Sequence, residues 1–286
     1  MESVVKMWYI CNKFIEMGIQ KVVHLADIHI RTYRMHSDYE AMFKELYSKC
    51  REITQGFEYD EVRIVIVGDL VHQKITISNE LLVMTSEFIS ELAKIAPLVI
   101  VAGNHDLLEN NKDRLDSISP MVHLLKDPNI TYYKESECYL DDNIVWCNYS
   151  IFNECERPDI ETARALHGDK KYIGLYHSQV LGATTDLGYE FETGTPIDHF
   201  NGCDAVMMGD VHKRQTFILN GAKIAYCGSL LQQDFGENVS SHGLLFWDIE
   251  TLDFEEVNLH NDYGFYKFTV NAVDDLEHDK EIFNNP

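Results

Sequence analysis

The feature that constrains this chain most is a short apolar run that ends abruptly in polar residues. The run Leu98–Ala102 is followed at once by Gly103, Asn104, His105 and Asp106. A buried run of this length predicts a strand of a parallel sheet, and α/β folds bind ligands beyond the carboxyl ends of such strands. These side chains offer a metal ligand, a proton donor and an orienting carboxylate. One loop of this kind is weak evidence, so the ends of the other strands decide its meaning.

Two earlier apolar runs end in the same way. Lys21–Ala26 leads into Asp27 and His29, and a β-branched run leads into Asp69 and His72. Amphipathic segments at 39–53 and 78–95 predict helices between the strands. Alternating strands and helices imply right-handed parallel crossovers, which place the carboxyl ends of the strands on one edge of the sheet. We therefore expect these polar side chains to converge.

Later strands extend the pattern. A strand at 172–176 ends in His177, and a strand at 204–208 ends in Asp210 and His212. Segment 178–200 between them is rich in Gly, Thr and acidic residues, and forms either a substrate lip or a long connection.

The convergent residues predict a site for two divalent ions that share a carboxylate. We expect one ion to be bound by Asp27, His29, Asp69 and His212, and the other by Asp69, Asn104, His177 and Asp210. Mixed oxygen and nitrogen ligands favour manganese, with magnesium or iron as alternatives. His105 follows a ligand directly and points elsewhere, so it is predicted to donate a proton to a leaving group, with Asp106 orienting it.

Composition limits the other classes of function. The chain has 286 residues with a formal net charge of −23, which argues against a general electrostatic clamp on nucleic acid but permits metal-bridged contact with phosphates. Seven irregularly spaced cysteines without a C-x-x-C pair favour a reducing compartment. No apolar run approaches the roughly 20 residues that span a membrane. We expect an intracellular, cytoplasmic protein that is not secreted, located in the nucleoid, or in the nucleus if the source is eukaryotic.

Three regions are expected. Residues 1–20 form an N-terminal helical extension, although Met17 is an alternative start; residues 21–260 form the main domain; residues 261–286 start a capping element or form a loosely ordered acidic tail. A helix at 113–126 is expected to break at Pro120, and a strand is expected at 263–271. From Gln215 onward the pattern becomes β, with a hairpin at Asn220-Gly221, and predicts the second layer of a sandwich.

Taken in order, these motifs resemble the calcineurin-like metallophosphoesterases. The resemblance rests on Asp27-x-His29, Gly68-Asp69, Gly103-Asn104-His105-Asp106, His177 and Gly209-x-x-His212, within about residues 21–260. It implies an α/β fold, a four-layer αββα sandwich with a short C-terminal extension, a dinuclear metal site, and His105 as general acid.

Further residues resemble the SbcD branch, the meiotic-recombination-eleven type of DNA nuclease. In that branch a histidine at the position of His72 helps to place the DNA phosphate. The segment 228–237 and the pair Lys213-Arg214 also look like that branch, and the pair either contacts phosphate or forms an exposed turn. The resemblance implies a manganese-dependent exonuclease and endonuclease that acts on double-stranded ends and single strands in DNA repair or recombination. Its implied partner is an SbcC-type coiled-coil ATPase, and a homodimer is left open.

Two departures keep alternatives open. The family usually has histidine where Asp210 stands, so Asp210 either ligates the second ion or turns away from it. Only about 25 residues follow the sandwich, so the chain is either truncated before a capping and ATPase-binding region or a minimal form. The alternative functions are a phosphoesterase acting on nucleotides or phosphoproteins, and a weakly catalytic subunit that binds DNA ends.

Overall fold

The computed structural model describes residues 18–153 and 156–266, and these contain twelve strands and four α-helices. The strands are β1 Lys21–Leu25, β2 Val62–Val67, β3 Leu98–Val101, β4 Ile130–Tyr132, β5 Cys138–Asp141, β6 Ile144–Tyr149, β7 Lys171–His177, β8 Ala205–Gly209, β9 Gln215–Leu219, β10 Ala222–Tyr226, β11 Gly243–Asp248 and β12 Phe254–Asn258. The helices are α1 His36–Ile53, α2 Asn79–Ala93, α3 Ile118–Leu125 and α4 Ile160–His167. Nearly all of the predicted N-terminal extension, and the acidic tail from 274, lie outside the described residues.

The strands form two six-stranded sheets that pack face to face. The first sheet has the order β12-β11-β1-β2-β3-β4, and the second has the order β5-β6-β7-β8-β10-β9. Between them lies an apolar layer that includes the fully buried rings of Trp146 and Trp247. Helices α1, α2 and α3 cover the outer face of the first sheet, and α4 packs outside the second through Ile160 and Ala163. The predicted αββα sandwich is confirmed.

The division of strands between the sheets differs from the sequence prediction. The second sheet begins at Cys138 rather than at Gln215, and β11 and β12 return to the first sheet. Strand β11 pairs antiparallel with β1, with Val22 opposite Trp247. The prediction was wrong because hydrophobic periodicity identifies a strand and its buried face but not the strand that it pairs with.

Three local predictions have different outcomes. The hairpin is confirmed: Asn220 and Gly221 join β9 to β10 with φ values of 51° and 91°, as a turn between twisted strands requires. Helix α3 does not break at Pro120, because it begins at Ile118 and so places the proline in its first turn, where no backbone donor is needed. Residues 263–266 have no regular structure, and the rest of the expected strand lies outside the described residues.

This topology brings five strand ends to one edge of the sandwich. Strands β1, β2 and β3 run parallel in the first sheet, and β7 and β8 run parallel in the second. An isolated bridge between Ile30 and Val71 continues the pairing of β1 and β2 beyond the loops that carry Asp27 and Asp69. Across the described residues, no helix combines the length and apolar character needed to cross a membrane.

Candidate metal centre

His177 lies at the centre of the site, where the two sheets meet. Its imidazole is buried, and the strand ends of both sheets approach it closely. A Cβ atom at Gly103 or at Gly209 would lie 2.6 Å from a ring nitrogen of His177, inside van der Waals contact. Glycine at these positions therefore allows the loops after β3 and β8 to close around one ring.

The carboxylate of Asp69 lies between two groups of donor side chains. Its Oδ1 is 3.3 Å from Nε2 of His177, and its Oδ2 is 3.4 Å from Nε2 of His29. Each oxygen thus faces a different group, which is the arrangement required of a carboxylate that bridges two ions about 3.5–4 Å apart.

The first donor group contains Asp27, His29 and His212. Nε2 of His29 lies 3.1 Å from Nε2 of His212, and Oδ1 of Asp27 lies 3.9 Å from that nitrogen of His212. These three side chains bring one ligand atom each within a sphere that can hold a metal ion. Their origins in β1 and β8 mean that the group depends on both sheets.

The second donor group surrounds Nε2 of His177. Oδ1 of Asn104 lies 3.3 Å from this nitrogen, and Oδ1 of Asp210 lies 3.9 Å from it. The backbone N–H of Asp210 donates to both carboxylate oxygens of Asp27, at 3.1 and 3.2 Å. The structure thus brings together all seven predicted ligands, and Asp210 points into the site rather than away from it.

The protonation pattern of two histidines fits a metal site. His177 donates from Nδ1 to the carbonyl of Val67 at 2.8 Å, and His212 donates from Nδ1 to Oε1 of Glu237 at 2.6 Å. These bonds leave Nε2 of each ring directed inward, where it can bind a metal ion once its proton is lost, as is usual for metal-binding histidines. Nε2 of His212 then faces Nε2 of His29, a juxtaposition that a shared proton or a cation stabilises. The residues present therefore fit divalent metal.

Burial and charge control the titration of this cluster. Burial raises the pKa of Asp27 to about 7 and lowers the pKa of His29 well below its usual value. Burial also disfavours the charged form of His212, but the hydrogen bond to Glu237 and the charges of Asp27, Glu237 and Asp69 together outweigh it and raise the pKa to about 9. Binding of a dication must therefore displace protons from buried groups.

Four of the predicted metal ligands have strained backbone conformations. Asp27, His29, Asp69 and Asp210 have φ values of 53°, 52°, 53° and 89°, in the left-handed region that residues other than glycine rarely adopt. Such strain costs on the order of 1–3 kcal/mol per residue and is concentrated at functional sites. The abrupt turn after each strand directs its polar side chains toward the common centre.

His72 and His105 lie beside the first donor group. Their rings stack with centroids 5.1 Å apart, and each ring meets His29 edge-on. His105 donates from Nδ1 to the carbonyl of His72 at 2.7 Å, which fixes the orientation of its ring. The neighbouring residues thus place a second imidazole directly against the predicted proton donor.

The prediction that Asp106 orients His105 is wrong. The buried carboxylate of Asp106 accepts the backbone N–H groups of Gly103, Leu70 and Val71, at 2.8, 3.3 and 3.0 Å. It therefore joins the loops after β2 and β3, and its effect on the site is to fix the backbone that carries the ligands.

Lys213 and Arg214, the predicted substrate-binding pair, contact different parts of the protein. Lys213 lines a groove beside the site and donates from Nζ to Oγ1 of Thr184 at 2.9 Å. Arg214 points the opposite way, where it donates to the carbonyl of Cys227 and to Asn258 of β12. Arg214 also pairs with Glu256, so its guanidinium is engaged away from the metal ligands, and its assignment as a substrate contact stays a prediction.

Two residues of the site were missed in the sequence. Glu237 binds His212, and its other oxygen accepts from the hydroxyl of Ser229 at 3.0 Å. Arg31 donates from Nη1 to Nε2 of His72 at 3.2 Å and from Nη2 to Oε1 of Gln233 at 3.2 Å. A signal existed for both: Arg31 follows His29 with the spacing of two that directs side chains to one side, and Glu237 ends the segment that resembles the SbcD branch.

The chain matches a known protein family over more than half of its length. A family model described as calcineurin-like phosphoesterase matches residues 20–214. The chain belongs to the calcineurin-like phosphoesterase family. A curated relative, the uncharacterized protein R555 of Acanthamoeba polyphaga mimivirus, is 36% identical over 268 residues that cover 90% of this chain and 19% of that protein. The chain thus spans about a fifth of that relative's length.

Solved structures are similar at low identity. An archaeal phosphodiesterase is 12% identical with a TM-score of 0.39, covering 84% of this chain and 99% of that one. The NAD nucleotidase of Haemophilus influenzae is 10% identical with a TM-score of 0.44, covering 93% and 56%. A hypothetical protein from Pyrococcus horikoshii is 13% identical with a TM-score of 0.44, covering 93% and 94%.

Glu237→Gln should weaken manganese binding about 10- to 100-fold, because the charged hydrogen bond that orients His212 is lost while the shape of the side chain is kept. Calorimetric titration of metal into metal-free protein measures this change. Asp234→Asn, an exposed carboxylate in the same loop, is the matched control and should leave binding unchanged. Equal affinities for all three proteins would contradict the role assigned to Glu237.

Asp210→Ala should lower the number of bound manganese ions from two to one, because the second donor group loses a carboxylate while Asp27, His29 and Asp69 remain. The metal content after equilibrium dialysis reports the ratio. Asp169→Ala, at an exposed site after α4, serves as the control. A variant that still binds two ions with unchanged affinity would remove Asp210 from the ligand set.

Proposed function

We propose that this chain is a manganese-dependent DNA nuclease of SbcD type, which hydrolyses phosphodiester bonds in DNA repair or recombination. The observation that carries the proposal is the pair formed by His72 and Arg31 beside the metal centre. In a chain with a net charge of −23, a guanidinium next to predicted catalytic groups marks a place for an anion.

The pair lies where a phosphate would meet the proton donor. His72 stacks on His105, and Arg31 reaches Nε2 of His72 with one nitrogen and Gln233 with the other. Burial, and then the charge of Arg31, lower the pKa of His72 to about 4, so His72 is neutral near pH 7. Neutral His72 accepts from Nη1 of Arg31 and so holds the guanidinium in place, and the remaining N–H groups of Arg31 can donate to the non-bridging oxygens of a phosphodiester.

The chain's own residues supply the proton transfer. Divalent ions bound at the centre supply water activation and charge neutralisation at the phosphate. His105 keeps its Nδ1 proton on the carbonyl of His72, so a proton carried on Nε2 can pass to the leaving 3′ oxygen. Asp106 fixes the loop that carries His105, and Lys213 lines a groove beside Asp210 and His212, where it can contact an adjoining phosphate.

Two alternatives remain as outcomes of the test. The acidic charge favours a phosphoesterase that acts on nucleotides or phosphoproteins. A weakly catalytic subunit that binds DNA ends is the third candidate. Pairing with an SbcC-type ATPase stays a prediction, which co-purification with the full chain addresses. A homodimer also stays a prediction, which sedimentation addresses, and so does a cytoplasmic location.

Incubation with manganese and end-labelled duplex and single-stranded DNA should give degradation that is lost in Asp69→Asn. His105→Ala should lower kcat about 100- to 10,000-fold, the range for removal of a general acid. A nucleotide and a generic phosphate ester are assayed in parallel. Turnover of the small esters alone would contradict the nuclease proposal, and DNA binding without any turnover would favour the third candidate.

Arg31→Gln should weaken DNA binding and reduce by about one the slope of log K against log salt, because one phosphate contact is lost. Binding is measured with Asp69→Asn as background, so that substrate is not consumed. Arg34→Gln, an exposed arginine three residues along the chain, is the matched control. The same salt slope in both variants would exclude Arg31 as a phosphate contact.

A further inference from the structure

A cavity of about 470 Å³ opens directly beside the second donor group. Asn104, His177 and Asp210 of the metal centre form one wall of it. Its volume falls in the range of roughly 300–1,000 Å³ that small-molecule sites occupy. The segment 178–200 supplies the wall opposite the metal centre, so the long connection between β7 and β8 lines a potential substrate site. We call this space the Tyr176 cavity.

Aromatic rings form another wall of the Tyr176 cavity. Tyr149, Tyr176 and His199 all line it, and the ring centroids of Tyr149 lie 6.1 Å from those of Tyr176 and 5.1 Å from those of His199. The hydroxyl of Tyr176 is 2.7 Å from Oγ1 of Thr195, which anchors the ring to the connection. Burial lowers the pKa of His199, so its ring is uncharged at neutral pH. The wall is thus aromatic and uncharged, with its three rings tilted against one another so that each can offer a face or an edge to a ligand.

The residues that line the Tyr176 cavity favour an uncharged group over a second phosphate. Neither lysine nor arginine is among the described residues that line it, and Lys74 neutralises Glu109, so Glu156 and Asp210 are the carboxylates left to disfavour an anion. Ser178 and Gln179 add uncharged hydrogen-bonding groups to the wall. A planar neutral ring with polar edges would find both aromatic side chains and partners for its edges.

A cation, Arg31, lies beside the first donor group instead. Arg31 and His72 adjoin the first donor group, and they are absent from the lining of the Tyr176 cavity. The site therefore has a basic side suited to phosphate and an aromatic, acidic side suited to an uncharged ring, with the metal ligands between them. A nucleotide has the same division between phosphate and base.

We propose that the Tyr176 cavity binds the nucleobase of the nucleotide next to the scissile phosphate. The proposal rests on the phosphodiesterase function proposed above, and it adds that the enzyme distinguishes a nucleotidyl ester from a plain phosphodiester. Because every base has a flat face, stacking on these rings would give a general preference for nucleotides over other diesters rather than readout of one sequence.

Two pairs of substrates test the inference with the full chain and manganese. Thymidine 5′-(4-nitrophenyl phosphate) and methyl 4-nitrophenyl phosphate share a leaving group and differ in the nucleoside. An oligonucleotide and its counterpart with abasic tetrahydrofuran residues share a backbone and differ in the bases. In each pair kcat/KM should be about 5- to 100-fold higher for the member that carries the base, as expected for loss of one stacking contact.

Variants locate the preference. Tyr176→Ala should lower kcat/KM more for the base-containing members than for their partners, so that the ratio within each pair falls toward one. Tyr176→Phe, which keeps the ring and loses only the bond to Thr195, should retain the preference. If Tyr176→Ala does not fold, His199→Ala serves as the test instead. His199 lies on a different element, and its replacement should weaken the preference.

The outcomes separate this inference from the nuclease proposal. A preference for the thymidine ester without cleavage of either oligonucleotide supports the cavity and contradicts DNA as substrate. Cleavage of both oligonucleotides at equal rates, with equal turnover of the two small esters, overturns the cavity and leaves the nuclease proposal standing. Loss of activity on all substrates alike in Tyr176→Ala and His199→Ala also overturns it, and so does an enzyme that turns over none of the four.

Discussion

The carboxylate of Asp69 is the group on which the rest of the site depends. One oxygen faces His29, and the other faces His177 while accepting the backbone N–H of His105 at 2.8 Å. Asp69 is buried at the end of a central strand, in a left-handed conformation that turns its side chain into the space between the sheets. The Asp106 carboxylate secures the adjoining backbone by accepting three N–H groups. The two donor groups thus share one rigidly placed anion.

The centre exists only when both sheets are packed together. Asp27, Asp69 and Asn104 come from the first sheet, and His177 and His212 come from the second sheet and the loop that follows it. A buried collection of carboxylates and imidazoles opposes folding unless the groups pair with one another or with cations. The apolar layer around Trp146 and Trp247 therefore supports the ligand geometry from beneath the strand ends.

The metal ligands could be predicted from the sequence, but the strand pairing that brings them together could not. Asp and His at the ends of successive apolar runs predict a shared edge because parallel crossovers have one hand, and the structure brings all seven predicted side chains together. The sequence pattern could not assign β11 to the first sheet, because β11 and its partner β1 are separated by more than 200 residues. The same limit applies to the partners of Arg214 and Asp106. Arg214 donates to Asn258, which lies on a strand distant in sequence. Asp106 is adjacent to His105 in the sequence, but its carboxylate accepts from Leu70 and Val71.

Anomalous X-ray diffraction from crystals grown with manganese would show whether Asp69 bridges two metal ions. We expect two peaks about 3.5–4 Å apart, with the Asp69 carboxylate between them. One peak should lie among Asp27, His29 and His212, and the other among Asn104, His177 and Asp210. A single peak, or two peaks that Asp69 does not bridge, would contradict this expectation.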